Sequence, residues 1–136
     1  MLFFPKFKTS KLHQEYFLVP HRLMELMSAF VLWSIEKEYP NPVVTCVSRG
    51  PRWYKRAGLK DRKFSWHFVN CAVDVRTFHY TPEQLGKVLR FFELACAEDE
   101  WELYAKQHGT GPHIHVAWRD TTRRKMWYRN KGKGRA

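Results

Sequence analysis

Between about Pro20 and Tyr39, in PHRLMELMSAFVLWSIEKEY, apolar side chains recur every three or four residues. Leu23, Leu26, Met27, Phe30 and Trp33 fall on one stripe, and Glu25, Glu36 and Lys37 fall largely off it. The spacing predicts a helix, stopped by Pro40 and Pro42. A second helical pattern occupies TPEQLGKVLRFFELACAE, with Leu85, Val88, Leu89, Phe92 and Cys96 on its buried face. Its start is marked by Thr81 as N-cap, Pro82 at the first helical position and Gln84 closing a capping box.

Elsewhere the apolar positions come in short runs. PVVTCVS, the end of SWHFVNCAVDV, WELYAK and PHIHVAW read as strands. The last two are joined around QHGTG, too short a link for a parallel crossover, so they form an antiparallel hairpin. Residues 1–18 read as irregular and aromatic, and RGPRWYKRAGLKDRK as a basic loop. Interspersed helices and strands ending in a hairpin predict an α+β fold: a small antiparallel sheet packed with two main helices. No internal repeat or second domain appears.

Composition narrows the class. A chain of 136 residues with 44% hydrophobic side chains fits one domain with a real core. No run reaches the roughly 18–20 apolar residues of a membrane span. MLFFPKFKTS lacks a basic segment before its apolar patch and is broken by Pro5, so it does not read as a secretory signal. Cytoplasmic synthesis is the expectation. Cys46, Cys71 and Cys96 are odd in number and far apart, which suits reduced thiols and neither a disulfide framework nor a Cys-x-x-Cys metal site.

The net charge is +11, of which residues 119–136 carry +7. This divides the chain into a domain over 1–118 and a basic C-terminal tail over 119–136, whose Gly/Lys-rich end reads as disordered. Such a tail either binds an anionic polymer or is simply solvated. Nothing in the pattern calls for an obligate dimer, so a monomer is expected.

The chemistry-bearing residues are His67, Asp74, His113 and His115. In HIHV, His113 and His115 are two apart and share one face of a strand. His67 and Asp74 flank a short turn and can reach one point. Asp74 stands in the apolar run Ala72-Val73-Asp74-Val75, where a buried carboxylate needs a partner. Two imidazoles and a carboxylate offer three ligands to a zinc ion and leave the fourth position to water. The bland alternatives are hydrogen-bonded histidines, and an aspartate that caps a turn or pairs with Arg76.

SWHFVNCAVDV resembles the Ser-x-His-x-x-Gly-x-Ala-x-Asp signature of the hedgehog/DD-peptidase superfamily, through Ser65, His67, Ala72 and Asp74. PHIHVAW resembles that superfamily's closing strand, and the likeness spans roughly residues 20–118. The resemblance implies a zinc peptidase acting on D-amino-acid-containing peptidoglycan peptides, as a carboxypeptidase or a phage-type endolysin. It implies one Zn2+ held by His67, Asp74 and His115, with His113 as a nearby polar group. Arg49 corresponds to the family's substrate-facing arginine, and Ser65 to a residue orienting the loop or a ligand. Release by a separate membrane-permeabilising protein, or association with a virion, would bring such an enzyme to the wall.

Two positions depart from the family pattern. Asn70 replaces a glycine, and asparagine tolerates the positive φ that a glycine there suggests. The family's acidic general base, a few residues before the last zinc histidine, has no counterpart in AKQHGTGPHIH. His108 and Glu102 are the nearest groups that could take that proton. One alternative is a zinc-binding module of the same fold without catalysis. Another is a DNA-nicking enzyme with a His-hydrophobic-His metal motif. That class needs a nucleophilic tyrosine, often in Tyr-x-x-x-Lys, and none of the six tyrosines has a lysine four residues on.

Overall fold

The computed structural model describes residues 2–56, 58, 64–106 and 112–132. Along them run β1 (Lys6–Phe7), α1 (Ser10–Tyr16), α2 (His21–Glu36), β2 (Val43–Cys46) and α3 (Pro51–Arg56). A 3-10 turn (Trp66–Val69) follows, then β3 (Ala72–Arg76), α4 (Pro82–Ala95), β4 (Trp101–Lys106), β5 (His113–Trp118) and α5 (Thr121–Gly132).

α2 and α4 are the helices that the apolar stripes predict. α2 buries Leu23, Leu26, Met27 and Phe30. α4 starts at the predicted capping box: Gln84 N–H donates to Thr81 Oγ1 at 3.2 Å, and Thr81 N–H donates to Gln84 Oε1 at 3.0 Å. Phe30 of α2 meets Phe92 of α4 at 4.6 Å between ring centres, which joins the two helices.

The sheet has the order β1-β2-β3-β5-β4. β4 and β5 form the predicted antiparallel hairpin pairing, and β2–β3 and β3–β5 are antiparallel as well. β1 pairs with β2 in parallel, so the sheet is mixed rather than purely antiparallel. The amino-terminal stretch, expected to be irregular, supplies this edge strand and α1, whose N-cap Thr9 accepts a hydrogen bond from Leu12 N–H at 3.3 Å. A two-residue strand is too short to show any periodicity, which is why the pattern missed it. The basic loop likewise contains a short helix, α3.

The two faces of the sheet differ. Val73, Val75, Ile114 and Val116 point into the main core with α2 and α4. Ala72 and Ala117 point the other way, into a smaller cluster with Trp66 and Cys71. Asp74, flanked by Val73 and Val75, therefore belongs to this second face and does not interrupt the main core.

The expected tail is in large part a helix. α5 buries Trp127, whose ring lies 5.5 Å from Phe64 and 5.3 Å from Phe68. Arg123 ties it down by donating to the carbonyls of Leu18 and Val69 at 2.8 and 3.2 Å. One apolar anchor in a run of cations shows no stripe, so the sequence pattern resembles a solvated tail. Among the described residues no helix is long and apolar enough to cross a membrane. Trp127→Ala should lower the unfolding free energy by about 3 kcal/mol, at the low end of large-to-small aromatic losses because the ring is near the surface. Urea denaturation of the full chain measures this; a dispensable tail would leave the midpoint unchanged.

Candidate metal centre

Strand register assembles the site. Asp74 lies opposite His115 on β5, and His115 lies opposite Tyr104 on β4. Residues directly opposite in an antiparallel pair project to the same face, so these side chains form a row across the sheet. On the other side of Asp74 the register of β2 slips: Val44 pairs with Val75, but Cys46 pairs with Asp74. The extra residue is a β-bulge, and it turns Cys46 toward Asp74.

His67 reaches the row from the 3-10 turn. Ser65 caps that turn, its hydroxyl accepting from His67 N–H at 3.3 Å. Asn70 ends it in the left-handed region at φ 59°, where asparagine is the best tolerated residue after glycine. The chain then reverses into β3, which carries Asp74 back against His67.

His67 Nε2 lies 3.1 Å from Asp74 Oδ1, and His115 Nδ1 lies 3.2 Å from the same oxygen. The far nitrogen of each ring is also engaged. His67 Nδ1 donates to the Val47 carbonyl at 2.8 Å, and His115 Nε2 meets Glu102 Oε1 at 2.7 Å. A carbonyl only accepts, so His67 Nδ1 carries a proton and Nε2 is the nitrogen that titrates. Tyr104 stacks on His115, with ring centres 4.3 Å apart and planes 8° from parallel.

All three central groups are buried: His67 is 3%, Asp74 5% and His115 2% exposed, so water solvates the carboxylate only poorly. Burial opposes protonation of His67, but the charge of Asp74 and hydrogen bonds from Asp74 and Cys46 outweigh it and raise the imidazole to about 9. Burial opposes ionisation of Asp74, yet the charge of His67 and the hydrogen bonds of His115 and His67 hold its carboxyl far below the usual range. His115 is raised too, with burial outweighed by its bonds to Asp74 and Glu102.

Cys46, His67 and Asp74 could hold a metal ion: each offers a ligand atom, and the three atoms lie within 4.8 Å of one another. Cys46 Sγ is 3.6 Å from His67 Nδ1, the nitrogen already bonded to Val47. The sulfur thus approaches the back of the ring, while Asp74 and His115 stand at its front. His115 is not part of that group, but its Nδ1, like His67 Nε2, stands against Asp74 Oδ1.

The remaining predicted residues spread around this centre. His113 Nε2 lies 3.6 Å from Asp74 Oδ2. Arg49 lines a cleft beside Asp74, and its backbone N–H donates to the His67 carbonyl at 3.3 Å. Glu102 meets the side of His115 that faces away from Asp74. His108 lies outside the described residues. Cys46 and Tyr104 escaped the sequence reading. The alternation of WELYAK could have flagged Tyr104 and Glu102 together, but the bulge that turns Cys46 inward leaves no sequence signal. No family model matches this chain, and no curated protein or solved structure is significantly similar to it.

The titration of the metal-free protein follows from these environments. A histidine raised to about 9 contributes stability that is complete below about pH 6.5 and lost as the pH rises through about 9. A depressed aspartate contributes stability that is complete above about pH 4 and lost as the pH falls. Chelator-treated protein should therefore be most stable between about pH 4 and 6.5 and weaken toward pH 9. Thermal melts across that range check the prediction.

Proposed function

We propose that His67 Nε2, Asp74 and His115 Nδ1 bind one zinc ion, and that the chain is a zinc-dependent peptidase acting on D-amino-acid-containing peptidoglycan peptides. The observation that carries the reading is the convergence of two imidazole nitrogens on one buried carboxylate oxygen, with both far nitrogens occupied. Metal-binding histidines are ordinarily held in this way, by a carbonyl or a carboxylate on the other nitrogen. The resemblance of SWHFVNCAVDV and PHIHVAW to the hedgehog/DD-peptidase signature supplies the reaction class.

When bound, zinc supplies Lewis acidity and a water of lowered pKa. Asp74 neutralises part of the ion's charge, and Val47 and Glu102 set the ring orientations of its histidine partners. In this reading His108 or Glu102 takes the proton of that water. His113 and Arg49, which line the cleft beside Asp74, hold a substrate oxygen in the same reading. The exposed cations of α5, among them Lys125 and Arg129, are a surface for an anionic wall polymer.

Cys46 favours a second reading, a non-catalytic metal-binding module in which the thiol joins His67 and Asp74. Elemental analysis with cobalt substitution separates the two. The peptidase reading expects one zinc per chain, lost in Asp74→Ala, kept in Cys46→Ser, and no sulfur-to-cobalt charge-transfer band. Full-length protein loaded with zinc should cleave muropeptides; zinc without turnover of any muropeptide would sink the enzyme. Glu102→Gln should weaken zinc binding about 10- to 100-fold, the usual range for a residue that orients a ligand, as read by competition with a chelating dye.

A further inference from the structure

A cleft of about 90 Å³ opens beside Asp74, lined by Lys8, Thr45, Arg49, Asp74, Arg76, Phe78, Pro112 and His113. Its charge is one-sided. Lys8, just after β1, Arg49, after β2, and Arg76, at the end of β3, bring three cations to its wall. None of the three makes an ion pair among the described residues. Asp74 is the one acid in the lining, and its carboxylate already meets His67, His113 and His115.

Both guanidinium groups are held in place. Arg49 lies 3.7 Å over the ring of Trp53, and Arg76 lies 4.7 Å over the ring of Phe78. Stacking restrains a flexible side chain and keeps its hydrogen-bonding edge free. Arg76 Nε is buried and has no hydrogen-bond partner among the described residues.

We infer that this cleft binds a compact oxyanion, a carboxylate or a phosphate group, on Lys8, Arg49 and Arg76. Planar guanidinium pairs suit either group, and the volume admits one such group with little else. Lys8 and Arg76 lie outside every motif of the metal centre, and anion binding here requires neither zinc nor hydrolysis. Joined to the peptidase reading, on which this one extension rests, the cleft selects a substrate with a free anionic group beside the bond that is cut.

The test is an amide-resolved NMR titration of the full-length chain with acetate and with inorganic phosphate, against chloride at matched ionic strength. Saturable shifts are expected at Lys8, Thr45 and Arg76, from acetate if the group is a carboxylate and from phosphate if it is a phosphoryl group. Lys8→Gln and Arg76→Gln should each weaken that binding about tenfold, the loss typical of one charge-assisted contact, and leave metal content unchanged. Lys8 is exposed, so its variant decides the matter if Arg76→Gln fails to fold. No saturable shift from either oxyanion, or undiminished binding in Lys8→Gln, overturns the inference. Zinc content and muropeptide cleavage measured on the same sample read the peptidase proposal separately.

Discussion

A carboxylate shut away from water is the constraint around which this molecule is arranged. Asp74 loses its hydration on folding, a penalty of several kcal/mol for an isolated ion. Nothing in the hydrophobic core offsets that loss. The offset comes from His67 and His115, which converge on a single oxygen. Each ring is then fixed from behind, one by the Val47 carbonyl and one by Glu102. Removing one member leaves the others with buried and unmatched polarity, so the cluster behaves as a unit.

The sheet makes this compatible with a stable core. Its helix-covered face carries the valines and isoleucine, and its second face carries the ionisable groups. Alternation along β3 and β5 separates the two environments by the thickness of one strand. The second face is closed by the 3-10 turn and by the aromatic contacts of α5 with Phe64 and Phe68. A run of basic residues that looks like a solvated appendage thus packs against the 3-10 turn that carries His67.

Function divides at Cys46. Two nitrogens and one oxygen leave a metal coordination position for chemistry, whereas an added thiolate moves the centre toward a closed, structural role. His67 Nδ1 already meets the Val47 carbonyl, and the Cys46 sulfur approaches the ring at that same nitrogen. The cationic cleft lies on the open side of Asp74, next to His113, and gives the centre an approach for a negatively charged ligand.

The sequence by itself determined the two large helices, the capping box, the closing hairpin and the pairing of His67 with Asp74. These are local: stripes, caps and the spacing of residues within one turn or strand. Asn70 in place of glycine was legible for the same reason, since a positive φ is a property of one residue. Tertiary structure decided everything that depends on register. It alone put Cys46 opposite Asp74 through a bulge, Glu102 behind His115, and Lys8, just past a two-residue edge strand, into the cleft with Arg76. A one-residue slip in pairing sends a side chain to the other face of a sheet, and no periodicity along a single strand reports which neighbour it will meet.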